Sequence, residues 1–576
     1  MESETKEKLL DMEYVSEEER VEILFDTWLA HTRKDQEMHI ALLRAEDDPE
    51  EKRDMFYTDL FFGTAGLRGK MGPGTNRMNT YTIGRVTQAV SQYICSEYPE
   101  DRYTVVVGYD SRHRSDVFAE RVSCILAANG IRVLLFPHMQ PTPLLSFAVR
   151  YFGCSGGINI TASHNTSVFN GYKVYGDNGA QMTDEASAVV TEFMKDIDYF
   201  AGVKTIPFEE GINTGLIEYI GEEVTDAFLN EVIKCRLKPE RDAEIRIAYT
   251  PLNGTGKRWI LGILNACGRT DIDIVREQEE PDGDFPTCPY PNPEMDPAME
   301  LAKKLCEEKG SDVMIATDPD SDRIGVFAPR NGEALRVNGN QVGCILFEYI
   351  CRKRKALGTM PAHPVVVTTI VSSPMVDDIA RNYGVEMRRT LTGFKHIAGQ
   401  ITLLDRDNRT EDFIFGFEES IGYMVGSYAR DKDAVGATMM VCDLAAECKA
   451  NGITLHDYLD ELFPRYGYHM DETLNIGFPG PDGMKEMSAV MQKIREADHS
   501  SIAGRKVISR VDYLNDKTGL PASNVMEFNI DGGKLLVRPS GTEPKIKIYL
   551  FSFEDSREKS LELMEELKAF ADGMMK

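Results

Sequence analysis

The 576-residue chain has no run of about 18 or more apolar residues, which excludes an α-helical membrane span. It has no CxxC pair, and its eleven cysteines are an odd number without framework spacing, so they read as reduced, structural thiols of a cytoplasmic protein. The ten histidines show no metal-ligand spacing. No GxxxxGK[ST] occurs, and the glycines between 63 and 74 do not lead from a strand into a helix, so nucleotide-binding signatures are missing. GxSxG does not surround Ser163, which argues against a hydrolase nucleophile elbow. Basic charge is in deficit: the net charge of −28 repels phosphate backbones and excludes a broad nucleic-acid surface, while leaving room for a local basic pocket. The opening MESETKEKLLDMEYVSEEER lacks an apolar core, so no signal peptide is expected, and the first sixty residues read as charged amphipathic helices. The expected protein is cytoplasmic, a monomer or small homo-oligomer, with neither nucleic-acid nor membrane partners.

What is present is a threefold architecture. The chain is too long for one hydrophobic core, and about three to five domains are expected. Tyr103–Gly108 reads as a buried strand, Ser115–Asn129 as a helix with Gly130 as its C-cap, Ile131–Phe136 as a strand, Pro143–Tyr151 as a helix and Gly157–Ile160 as a third strand. The same order recurs over Ile245–Tyr249, Lys257–Ala266, Ile272–Val275, Pro297–Glu308 and Val313–Ala316, then over Val365–Thr369, Met375–Asn382, Val385–Arg389, Phe394–Leu404 and Phe413–Phe415. Alternating strands and helices predict α/β units with mixed, mainly parallel sheets, and ligands gather at the carboxyl ends of such strands. Phe463–Gly483, rich in Tyr, Gly and Pro, reads as a linker to a smaller C-terminal α+β domain. The predicted divisions are 1–205, 206–330, 331–462 and 463–576, set around one central cleft.

The loop after each third strand is the most polar of its unit. The first, within Thr161–Tyr175, carries Ser163 with His164, Asn165 and Lys173 nearby; a phosphate-bearing hydroxyl and a local Ser/Asn turn are both readings of it. The second, Asp318-Pro319-Asp320-Ser321-Asp322-Arg323, spaces three carboxylates for a hard cation. An EF-hand fails there because Arg323 and Pro329 occupy the Gly and Glu positions, and an Asx-turn competes. Arg323 beside such a metal suits a phosphoryl oxygen. The third, Glu418-Glu419-Ser420, offers acceptors for sugar hydroxyls but equally reads as solvated surface. Arg538-Pro539-Ser540-Gly541-Thr542 combines a guanidinium, hydroxyls and open backbone N–H groups, either a phosphate grip or a hairpin turn. Arg68 in TAGLRG reads as a second contact to that phosphate or as loop, and Lys395 and Lys432 read as surface.

Together TASHN, DPDSDR, GFEES and RPSGTEPK resemble the α-D-phosphohexomutase family, in its order and over nearly the whole chain from FGTAGLRG onward. GPGTNRMN, GYDSRH and RDKDAV are most similar to its bacterial α-phosphoglucomutase branch, which includes phosphopentomutase-like and glucose-1,6-bisphosphate-synthase-like enzymes. The resemblance implies a phosphorylated Ser163, one Mg²⁺ per chain on Asp318, Asp320, Asp322 and Ser163, and glucose 1,6-bisphosphate as intermediate and activator. His164, Lys173, Arg68 and Lys395 would attend the transfer. Arg112, Arg323, Glu418, Ser420, Lys432, Arg538, Ser540, Gly541 and Thr542 would bind substrate. The implied reaction interconverts glucose 1-phosphate and glucose 6-phosphate. The alternatives are phosphopentomutase, phosphomannomutase or bisphosphate-synthase activity, or a phosphosugar-binding protein without catalysis. One departure is Asn253 in TPLNGTG, where relatives carry histidine, which puts one substrate contact in question.

Overall fold

The computed structural model describes residues 16–63, 66–479, 482–541 and 544–575, and resolves four sheets. In the first three, strands rich in Val and Ile form a parallel core in which the first strand lies between the third and the second. Thr104–Tyr109 pairs with Arg132–Leu135 and Gly156–Ile160; Ile247–Thr250 with Ile272–Ile274 and Val313–Thr317; Val365–Thr369 with Glu386–Thr390 and Phe413–Glu418. Burial on both faces explains their near-continuous apolar character.

Each third strand is followed by an antiparallel partner: Phe169–Gly176, Ile324–Arg330 and Gly422–Met424. The three polar loops are therefore reversals at a strand's carboxyl end, and each contains a non-glycine residue at positive φ: Ser163 at 51°, Ser321 at 50° and Ile421 at 55°. Such backbone costs on the order of 1–3 kcal/mol per residue and persists only where the surroundings hold it. The fourth sheet is antiparallel throughout, with the long pair Tyr468–Gly477 and Lys545–Glu554 at one side.

Two expected divisions cut through sheets. Ile217–Tyr219 completes the first sheet beyond residue 205, and Glu333–Val337 the second beyond residue 330. Phe463–Gly483 is not a linker. Its beginning closes the helix Leu455–Tyr466, which tolerates Pro464 in its last turn, and Tyr468–Gly477 is a full strand. Tyr, Gly and Pro here mark a helix end and a strand start, two ordinary places for them.

One continuous apolar core joins the first three domains, running from Val106 and Leu145 through Trp259 and Ile315 to Phe415 and Leu444. The fourth domain has its own core around Phe528, Leu550 and Leu563, and meets the third where Ile370, Val371 and Leu391 pack on Leu536, Tyr549 and Phe551. Among the described residues no helix is long and apolar enough to cross a membrane.

The expected N-terminal helices are present as Glu17–His31, Gln36–Arg44 and Pro49–Phe56. A capping box between Ser16 and Glu19 starts the first. Trp28, 1% exposed, packs on Phe56 of the third helix and holds these helices to the first domain through Tyr81, Tyr199 and Phe200, with ring centroids 5.4–5.8 Å away. Trp28→Ala should cost about 3–5 kcal/mol locally. The expected result is an earlier first transition in a circular-dichroism melt; an unchanged melt would show the helices to be held by something else.

Candidate active site

The strand Gly156–Ile160 is wholly buried and delivers Ser163 to a tight reversal in which the Ser163 N–H donates to Thr161 Oγ1 at 2.8 Å. Arg112 holds this loop from beneath. Its guanidinium donates to the carbonyls of Ser163 (2.5 Å), Thr166 (2.8 Å), Phe169 (3.1 Å) and Asn165. It lies beside Asp110 at 3.4 Å and 5.1 Å from the Phe285 ring centroid. A side chain so committed frames the serine: Arg112, expected to bind substrate, gives its donor fork to four carbonyls in this structure. Ser163 Oγ donates to Asp318 Oδ2 at 2.9 Å and lies 3.2 Å from His164 Nδ1. Burial, reinforced by the Arg323 and Arg68 charges, holds His164 well below the ordinary histidine range.

Asp318, Asp320 and Asp322 are 0–1% exposed, with one oxygen from each lying within 4.8 Å of the others. Asp318 Oδ1 accepts the N–H groups of Asp322 (3.1 Å) and Arg323 (3.0 Å). Asp320 Oδ2 accepts from Lys173 Nζ (2.7 Å) and Thr142 Oγ1 (2.8 Å). Asp322 Oδ2 faces Lys432 Nζ (3.0 Å) and Lys173 Nζ (3.3 Å). Burial and the two neighbouring carboxylates push Asp318 well up, whereas Lys173 overrides burial and holds Asp320 below its ordinary value. Among the described residues, Oδ1 of Asp320 and Oδ1 of Asp322 are buried without a hydrogen-bond partner, although Arg323 Nε stands 3.7 Å from the latter. Orphaned anionic oxygens beside a third carboxylate fit a hard divalent cation, which takes oxygen ligands.

The TPLNGTG loop supports this turn and does not line the cleft. The backbone of Gly254 comes so close that a Cβ there would lie 2.3 Å from Pro319 Cα, and Thr255 Oγ1 donates to the Pro319 carbonyl at 3.0 Å. Asn253 turns away to bond the Glu280 carbonyl at 2.8 Å, so its departure from histidine falls on a brace.

A cleft of about 1090 Å³ is lined from all four domains: by His164 and Asn165, by Glu294 and Arg323, by Glu418, Glu419 and Ser420, and by Arg538, Lys545 and Lys547. Glu418 Oε1 accepts the Gly393 N–H at 2.6 Å, and Arg323 Nη1 donates to the Ser420 carbonyl at 3.1 Å. Arg68 Nη1 donates to Asn165 Oδ1 at 3.1 Å, placing it on the serine loop. Ser540 donates its N–H to the Lys545 carbonyl at 2.8 Å, Gly541 is exposed, and Thr542 lies outside the described residues.

Three of the expected lysines hold ion pairs. Lys173 is a counter-ion to Asp320 and Asp322. Lys432, buried between Asp322 and Asp431 (3.2 Å), is also a counter-ion and does not line the cleft. Lys395 pairs with both oxygens of Asp184 at 2.8 Å, a clasp between the third and first domains. Sequence reasoning missed Glu294, Lys545, Lys547 and Tyr549. The last three recur with period two along one strand, and that alternation is the signal that exposes them.

Burial and the adjacent Glu418 charge push the Glu419 carboxyl up to about 7, with Lys547 offsetting only part. A raised folded-state pKa means that stability falls as pH climbs from the unfolded value near 4.5 through about 7, then levels. Glu419→Gln should therefore gain stability relative to wild type across that window and keep a constant advantage above it. Urea midpoints from about pH 5 to about pH 8 check this; parallel curves would contradict it.

Sequence-family models described as phosphoglucomutase/phosphomannomutase, alpha/beta/alpha domains I, II and III and C-terminal domain, match residues 59–200, 225–332, 338–466 and 481–568. A phosphoglucomutase of Staphylococcus haemolyticus is 36% identical over 511 residues, covering 86% of this chain and 90% of its own. One from Staphylococcus aureus is 35% identical over 512 residues, covering 87% and 91%. Among solved structures, the open form of the Paramecium phosphoglucomutase pp63/parafusin superposes with a TM-score of 0.68 at 17% identity, over 90% of this chain and 95% of that one. A Burkholderia thailandensis phosphoglucomutase/phosphomannomutase family protein gives 0.66 at 15% identity, over 89% and 97%. The four matched domains and the relatives spanning most of the chain show that it belongs to the phosphoglucomutase/phosphomannomutase family, the α-D-phosphohexomutases.

Proposed function

We propose that this enzyme, a phosphosugar mutase by family, interconverts glucose 1-phosphate and glucose 6-phosphate through phosphorylated Ser163 and glucose 1,6-bisphosphate. The observation that carries the reading is the Ser163 hydroxyl, held in a left-handed turn and bonded to a buried aspartate, directly before His164 and Asn165 in the wall of a cleft that all four domains line. Both named phosphoglucomutase relatives cover 90% or more of their own length, which supports glucose phosphates as substrates.

Asp318, Asp320 and Asp322 would hold the metal, Mg²⁺ by preference for buried oxygen donors, and Ser163 would join them. When bound, it would neutralise charge on the phosphoryl oxygens. The chain's own residues do the rest. Arg112 keeps Oγ of Ser163 on its line of approach by fixing four loop carbonyls, and Arg323 presents a cation at the cleft wall. A sugar hydroxyl attacks the phosphorus of phosphoserine 163, the P–Oγ bond breaks, and the hydroxyl proton leaves to a neighbouring base. His164, whose Nδ1 lies 3.2 Å from Oγ, is within reach for that task. The bisphosphate then turns over and its other phosphoryl group returns to Oγ, so the enzyme ends as it began. Glu418 and Ser420 receive ring hydroxyls, and Arg538 with Ser540 grips the idle phosphate, as positioning supplies most of phosphoryl-transfer catalysis.

Ser163→Ala should lower turnover of glucose 1-phosphate by at least about 10³-fold, the scale on which loss of a covalent nucleophile acts. Near-wild-type turnover would sink the assignment. A panel of hexose and pentose 1-phosphates should rank glucose first, and EDTA should abolish turnover until Mg²⁺ is restored.

A further inference from the structure

Beyond the ligand carboxylates, the metal turn is gripped from the neighbouring domain. Thr142 opens the helix Thr142–Tyr151 of the first domain, at the end where the helix dipole favours negative charge. Its N–H donates to the Asp320 carbonyl at 2.8 Å and its Oγ1 donates to Asp320 Oδ2, also at 2.8 Å. Asn159, on the strand leading to Ser163, donates its Nδ2 to Thr142 Oγ1 at 2.9 Å. Thr142, Asn159 and Asp320 are all 0% exposed, so no water competes for these bonds.

The chain has a direction. A threonine hydroxyl has one hydrogen, and because Asn159 occupies its oxygen as donor, that hydrogen is left for Asp320. Asp320 Oδ2 is then saturated by Thr142 and Lys173, while Oδ1 stays without a partner. We propose that Asn159 and Thr142 are positioning residues for the metal: the relay locks the Asp320 carboxylate in one rotamer, with Oδ1 reserved as the ligand oxygen. It also ties the orientation of that oxygen to the strand that carries Ser163. This rests on the reading of the three aspartates as a metal site.

The test is Mn²⁺ binding by the full-length protein without substrate, followed by the electron paramagnetic resonance signal of the free ion. Thr142→Val keeps shape and backbone bond but removes the hydroxyl. Loss of a partner that orients a metal ligand typically weakens binding by about 10- to 100-fold, and that is the expected shift. Thr142→Ser, which restores the hydroxyl, should bind like wild type. Asn159→Leu should weaken binding in the same direction, and the double variant should be no worse than Thr142→Val, because both act through one bond. Should Thr142→Val not fold, Asn159→Leu carries the same comparison. A folded Thr142→Val that binds Mn²⁺ as tightly as wild type, or a Thr142→Ser as weak as the valine variant, overturns the relay. Wild-type protein that binds no Mn²⁺ instead sinks the metal reading itself.

Discussion

Three carboxylates buried in one turn are the constraint on which the rest of the site depends. Charges removed from water must be matched at close range, or the fold loses several kcal/mol for each. No single domain matches them here. Lys173, Thr142 and Ser163 come from the first domain, Lys432 from the third, and the second adds its own backbone N–H groups and the Arg323 guanidinium, 3.7 Å from Asp322 Oδ1. Electrostatic matching therefore does at the site what the continuous apolar core does behind it: it fastens the first three domains together.

Much of this was legible in the sequence because it rests on local chemistry. Runs of Val and Ile mark parallel strands, and the loops after each third strand declare themselves by abrupt polarity. What stayed hidden involves partners distant in the chain. That Arg112 bonds the carbonyls around Ser163, or Lys395 pairs with Asp184, depends on which elements the fold brings together. The extra strands Ile217–Tyr219 and Glu333–Val337 are short edge additions whose sheet membership is decided by tertiary pairing. The alternation of Lys545, Lys547 and Tyr549 was readable, but a period of two says only that one face differs from the other.

The fourth domain stands apart in how it is held. Its core is its own, and its junction with the third domain is a small apolar patch supplemented by polar contacts. Asp471 accepts from Asn338 (3.2 Å) and Asn340 (3.0 Å), and Lys534 donates to the Ile370 carbonyl at 3.0 Å. None of these contacts touches the serine or aspartate turns.

That separation has a bearing on descent. The residues proposed to transfer phosphate are locked into a mutual charge balance across three domains, where any one replacement unsettles the others. The wall carrying Arg538, Lys545 and Lys547 belongs to a unit with an independent core. On the reading proposed above, drift in that unit can retune the grip on the idle phosphate while the transfer chemistry is inherited intact, so novelty of that kind should accumulate at the carboxyl-terminal end of the chain.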